Sequence, residues 1–278
     1  MAKKKQSPTQ QMFVEEDEVQ EAPVEKEVQE EPQDTLRNSP YVELPSKGLL
    51  GYPDTVEYRD LLVKDEETLA TATAETYSKT LNGVIKDVIG NPDWYEKMSV
   101  HDRDFLLLWI WANNYDSVKK VEVECPSCGA KETHSIDLTE VETTDIKDNI
   151  KNPFELELKN GNKVFIHMSN VGGELEVESY QRKMGDKIQH TNEFLLLASS
   201  IDVGLNIPFE NKVKWISENM TAREMGIARS YHNYFDFGIK PEVEVKCGSC
   251  SEVTSVELPF SAVDVIYPSV STDFEEFL

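Results

Sequence analysis

The sequence predicts an α+β fold: a helical body carrying β-hairpins, with two cysteine-bearing hairpin tips that come from distant parts of the chain. Three observations predict it. An eight-residue pattern ending in a cysteine pair occurs twice, helical apolar stretches recur between the copies, and an Asn-Gly turn sits between two alternating runs.

Structure is expected to begin near Tyr41. From Tyr41 to Pro53 apolar anchors mix with Pro and Gly punctuation, which reads as a structured turn leading into a short strand, Thr55–Arg59. Asp65, Glu66 and Glu67 then open a helix, where acids favour the positive end of its dipole; it is predicted to run to about Ile89 and stop at Gly90-Asn91-Pro92. Ser99 can cap the next helix, whose Phe105–Trp111 stretch is apolar nearly all round and so belongs at the centre of a core. Phe154–Leu158 and Lys163–Met168 alternate about Lys159-Asn160-Gly161-Asn162, the pattern of a hairpin. Helical character returns over Gly173–Ser200, then over Glu210–Asn219 and Ala222–Tyr234. The last opens with Thr221 and Glu224, a capping-box pair.

Charge separates the ends from the middle. Residues 1–38 carry ten acidic and five basic side chains and, in 15–34, no aromatic residue, so this stretch cannot bury enough apolar surface to offset its ordering entropy. It is expected to be a disordered acidic arm, and 269–278 an acidic C-terminal tail. Residues 39–268 are read as one globular domain, with 139–240 as a helical and hairpin insertion. The whole chain has 28 basic and 52 acidic side chains, a formal −24, of which −19 remains without the arm. A field of that sign repels phosphate backbones, so nucleic acid is not expected as the partner. No apolar run approaches the roughly 18 residues of a membrane span. Met1–Lys5 is basic, but Gln6–Glu16 supplies no apolar segment behind it, so the chain is expected to stay in the compartment where it is made.

The repeated pattern carries the chemistry. Val121-Glu122-Val123-Glu124-Cys125-Pro126-Ser127-Cys128 and Val243-Glu244-Val245-Lys246-Cys247-Gly248-Ser249-Cys250 both read V-E-V-[EK]-C-x-S-C. Each then reaches a Ser-[Ile or Val]-acid-Leu strand, ten residues after Cys125 and eight after Cys247, which suggests a slightly shorter turn in the second copy. Gly129 suits a turn that needs positive φ, and Ser251 suits it less well. Two CxxC knuckles at hairpin tips supply four thiolates, the soft tetrahedral set that zinc prefers. The expected site is Cys125, Cys128, Cys247 and Cys250 around one structural Zn2+ per chain, a zinc ribbon split by the 118 residues between Cys128 and Cys247. Free thiols or disulfides are the alternative. A redox pair is disfavoured because such a CxxC precedes a helix, whereas both pairs here lie between strands.

No other chemistry assembles. A phosphate loop, a nucleophile elbow and an H-E-x-x-H pair are all missing, and His101, His134, His167, His190 and His232 are scattered. No enzyme is expected.

The order of features, Leu44-Pro45-Ser46-Lys47-Gly48, then Asp65-Glu66-Glu67, the Asp102–Trp111 helix, Cys125-Pro126-Ser127-Cys128-Gly129, the hairpin and a second cysteine pair, resembles the baseplate hub and hub-assembly proteins of T4-like contractile-tailed bacteriophages. The resemblance spans about 41–268. It implies a structural subunit or assembly factor of the central hub, partnered by other hub proteins, made in the host bacterial cytoplasm and destined for assembly or for the tail baseplate itself. It carries over no catalytic residues. The alternative is a zinc-ribbon adaptor of a transcription or RNA-processing machine, which would call for a basic stripe that neither knuckle has. Tyr41, Leu44, Leu49, Leu50 and Tyr52 are the candidate partner-binding patch, since apolar and aromatic anchors dominate interfaces; the same residues could instead pack onto the protein's own core.

Overall fold

The computed structural model describes residues 41–73, 76–115, 117–240 and 242–257, so the predicted arm and C-terminal tail lie outside the described residues. Strand β1 (Tyr41–Glu43) pairs antiparallel with β2 (Thr55–Glu57), placing Val42 opposite Val56. Both strands alternate exposed, buried, exposed, as a strand with one face on the core must. Helices α1 (Val63–Ala70) and α2 (Tyr77–Val88) follow. Arg59 ties them together, donating to Asp65 at 2.6 Å and to Asp87 at 2.5 Å.

These two helices replace the single one predicted from Asp65 to about Ile89. The break falls among threonines whose side chains take up local backbone groups: Thr71 Oγ1 donates to the Thr68 carbonyl, and the Thr73 amide donates to Thr76 Oγ1. Such bonds compete with the helical ladder, and β-branching weakens it further. The predicted stop holds. Gly90 and Asn91 both take positive φ (79° and 56°), and the Asn91 amide closes on the Lys86 carbonyl at 2.7 Å.

Helix α3 (Val100–Asn114) is capped by Ser99, whose Oγ accepts from the Asp102 amide at 3.0 Å. It is the axis of a first hydrophobic cluster, contributing Leu106, Leu107, Leu108, Ile110, Trp111 and Ala112. Strands β3 (Val118–Glu124) and β4 (Lys131–Asp137) form the first cysteine hairpin, and its inner face adds Ile136 and Val121 to that cluster.

A second cluster runs from Ile146 to Phe237. Strand β5 (Thr143–Thr144) leads into it, and β6 (Phe154–Glu157) pairs with β7 (Lys163–Ile166) around Gly161, whose φ is 86°. Helix α4 (Val171–Met184) and helix α5 (Asn192–Ser199) then divide the predicted helical stretch 173–200. The chain turns at Gly185 (φ 52°) and is capped afresh by Thr191, whose Oγ1 accepts from the Phe194 amide. The two helices pack closely: a Cβ on Gly173 would lie 2.8 Å from Ser199 Oγ, so glycine is what permits the approach. Strand β8 (Ile201–Asp202) adds to β7, and α6 (Phe209–Asn219) and α7 (Ala222–Tyr234) stand where predicted. The Thr221–Glu224 capping box forms in full.

Strand β9 (Gly238–Ile239) returns to pair with β5, so the chain enters and leaves the second cluster side by side. The second cysteine hairpin, β10 (Glu242–Lys246) and β11 (Val253–Glu257), follows directly. Where the clusters meet, Val171 N donates to the Met98 carbonyl at 2.9 Å, and Arg103 is paired with Glu174. Among the described residues no helix is long and apolar enough to cross a membrane.

Two histidines of this second half carry a pH signature. Burial holds His232 down at about 4, helped by repulsion from His101, and burial lowers His167 as well. The folded chain therefore resists a proton that the unfolded chain accepts near 6.5, so this stability is complete above pH 6.5 and is lost as pH falls toward 4. Fully buried Asp102 and half-exposed Asp104, both raised by desolvation, act with the opposite sign, so the contribution must be isolated by comparison. His232→Gln is expected to flatten the decline in chemical-denaturation stability between pH 6.5 and 4, by up to about 3 kcal/mol. An unchanged pH profile would show that His232 is not held neutral.

Candidate metal centre

Each cysteine pair sits on a turn closed by the same two backbone bonds. In the first, the Cys125 amide donates to the Ala130 carbonyl and the Gly129 amide to the Cys125 carbonyl, both at 2.9 Å. The second repeats this with the Cys247 amide on Glu252 and the Ser251 amide on Cys247, at 2.8 and 2.9 Å. Gly129 and Ser251 both take the left-handed conformation the turn requires, at φ 74° and 64°. Ser251 does so with a Cβ, at a cost of roughly 1 kcal/mol. The shorter second turn expected from the sequence is not observed. Val123 lies opposite Glu132 and Val245 opposite Thr254, seven residues after the first cysteine in each copy. The aligned Ser135-Ile136-Asp137 and Ser255-Val256-Glu257 segments therefore occupy different positions along their strands.

The two tips meet although 118 residues separate them in sequence. Cys125 Sγ lies 3.6 Å from Cys250 Sγ, Cys128 Sγ lies 3.7 Å from Cys247 Sγ, and all four sulfurs fall within 4.8 Å of one another. A disulfide needs about 2.05 Å, so the four thiols are free. A tetrahedron with metal–sulfur bonds of about 2.3 Å has edges of about 3.8 Å, close to the two shortest separations. The donor set and its spacing thus fit a tetrahedral metal ion. Cys125 and Cys247 are buried, Cys128 and Cys250 exposed.

Electrostatics favour the same conclusion. The backbone amides of Cys128 and Ser127 pull the Cys125 thiol down to about 7. Cys250 is pushed up to about 12: the Glu252 amide favours its thiolate, but Cys128, burial, Cys125 and Cys247 together outweigh that amide. Cys247 is raised too; the Cys250 amide favours its thiolate, and burial and Cys128 oppose it. One thiolate therefore discourages the next, a repulsion that a central cation reverses.

Sequence reasoning missed Glu132. Its carboxylate crosses from the first hairpin to accept from the Gly248 amide at 2.7 Å and the Ser249 amide at 3.1 Å, and these donors hold it below the usual carboxylate range. One signal was available: Pro126 in the first copy has an N–H-bearing Gly248 as its counterpart.

The five residues of the expected contact patch do not share a surface. Leu44 (1% exposed) and Tyr52 (5%) belong to the core, Leu50 is partly buried against both clusters, and Tyr41 (67%) and Leu49 (40%) are exposed. Asp102 decides this. Buried at the start of α3, its carboxylate accepts from the Ser46 amide at 3.1 Å and from the Tyr52 hydroxyl at 2.5 Å, and that hydroxyl accepts from the Ser99 amide at 3.0 Å. The Leu-Pro-Ser-Lys-Gly turn is thereby drawn inward.

Comparison with protein families identifies the class to which this architecture belongs. A family model described as T4 bacteriophage base plate protein matches residues 37–216, and the chain belongs to that family. The match includes Cys125 and Cys128 and ends before Cys247 and Cys250. Comparison with curated proteins and with solved structures gives no match.

The inward turn yields a contrast measurable by thermal or chemical denaturation. Leu44→Ala should cost about 2–5 kcal/mol, as a buried leucine does, and Tyr52→Phe about 1–3 kcal/mol by leaving Asp102 short of a donor. Tyr41→Ala should stay within about 0.5 kcal/mol. A neutral Leu44→Ala would place that residue outside the core.

Proposed function

We propose that this protein is a structural or assembly component of the central hub of a contractile-tail baseplate. It acts by binding other hub proteins, turns over no substrate, and is held together by one structural Zn2+ on Cys125, Cys128, Cys247 and Cys250. The family match over residues 37–216 supports the baseplate role. The sulfur geometry supports the metal, and the all-thiolate donor set favours zinc. Four protein ligands leave no position for a water or substrate, which makes the site architectural. When bound, the ion would supply a crosslink between the two hairpins, fixing the ends of the segment between them.

Exposed Tyr41 and Leu49 remain the proposed contacts, now flanking the turn instead of forming one patch with Leu44 and Tyr52. The chain would meet its partners in the host cytoplasm during assembly and take its place in the tail baseplate.

Metal analysis of protein purified under reducing conditions should give one zinc per chain, and Cys→Ser at either knuckle should destabilise more than a typical core substitution. Less than half an equivalent rejects the zinc assignment; an equivalent of iron replaces it. Co-purification from infected cells should recover baseplate hub proteins. Recovery with RNA polymerase or ribosomes in their place would reject the assembly role, and retained hub binding by folded Tyr41→Ala and Leu49→Ala chains would reject those contacts alone.

A further inference from the structure

Glu132 makes a connection that the cysteine pattern does not explain. It lies on β4 opposite Val123, on the face that carries Cys125, and its carboxylate ends on the other hairpin. Oε2 accepts from the Gly248 amide at 2.7 Å; Oε1 accepts from the Ser249 amide at 3.1 Å and the Ser249 hydroxyl at 2.9 Å. Oε1 also stands 3.6 Å from Cys247 Sγ. One side chain of the first hairpin thus gathers the donors between the two cysteines of the second.

The connection is one-sided, and the differences between the copies account for it. Thr254 holds the position in the second hairpin that Glu132 holds in the first, and its hydroxyl is buried without a partner. Threonine is too short to reach across. The first knuckle also offers one donor fewer, because Pro126 stands where Gly248 stands and has no N–H, while Ser127 matches Ser249. Gly248 is fitted to its role as well: a Cβ there would lie 3.3 Å from Glu132 Oε2, in space the carboxylate fills. The donor and the room beside it occur together on the one knuckle that receives a carboxylate.

We propose that Glu132 is the positioning residue of the cysteine cluster, a latch that holds the second knuckle in ligand geometry from the first hairpin. This rests on reading the cluster as a metal centre. A carboxylate beside a ligating thiolate is repulsive in isolation, so the placement is sustained by the three donors it accepts. Because those bonds need no ion, the latch aligns Cys247 and Cys250 with the first pair before metal arrives and slows their separation afterwards. Outer partners of this kind typically change metal affinity by about 10–100-fold.

The test is a double-mutant cycle on the full chain with Glu132→Ala, Gly248→Pro and both together. Zinc release to a chromophoric chelator is timed, with the visible spectrum of the Co2+-substituted protein reporting ligand geometry and circular dichroism reporting the fold. Proline is already tolerated at this place in the first knuckle, as Pro126. Glu132→Ala should speed release about ten-fold or more, with Glu132→Gln falling between it and the natural chain. Gly248→Pro should act similarly, and adding Glu132→Ala to it should change little further. Unchanged or slower release from folded Glu132→Ala, or additive effects in the cycle, would overturn the latch and leave the metal centre standing. A natural chain that binds neither zinc nor Co2+ would remove the metal centre and the latch together.

Discussion

Two hairpin tips that meet across 118 intervening residues constrain everything between them: that segment must begin and end in one place. Closing a flexible loop of such length costs about 4 kcal/mol in chain entropy, so the closure has to be supported by more than four sulfurs. Pairing of β5 with β9 supplies one support, holding entry and exit side by side. The first hydrophobic cluster supplies another, since Val121 and Ile136 of one hairpin and Val243 of the other all pack against it. The segment between can then build a core of its own from Ile146 to Phe237. An ion bound at the tips would crosslink ends already brought together, which suits a part that must keep its shape inside a larger assembly.

Polar groups inside the first cluster do comparable work at shorter range. Asp102 is fully buried and raised by desolvation, an expensive placement for a carboxyl group, yet it meets a donor from each of two positions in the Ser46–Tyr52 turn. Burying that group unpaired would cost more than the pairing contributes, so the turn and the start of α3 must be seated together. Arg59, between Asp65 and Asp87, orders α1 against α2 in the same way nearer the surface. The turn that carries Leu-Pro-Ser-Lys-Gly therefore seats Leu44 and Ser46 in the core, while Lys47 and Leu49 stay exposed.

Much of this protein was determined by sequence alone, wherever the deciding interaction is local. Ser99 and the Thr221–Glu224 pair cap their helices because the groups they satisfy are three residues away. Gly161 turns its hairpin through its own backbone freedom, and each cysteine knuckle closes within five residues. Repetition of the knuckle made a shared four-sulfur site legible despite the distance between the copies. Tertiary structure alone decided what depends on residues far apart in the chain. The seat of Leu44 and Tyr52 is set by a carboxylate some fifty residues later, at Asp102. The reach of Glu132 to Gly248 spans 116 positions, beyond any local pattern. Register showed the second turn to be as long as the first, because strand pairing counts from the turn and aligned letters do not. Local chemistry can name the ligands, but only packing can decide which distant side chain holds them in place.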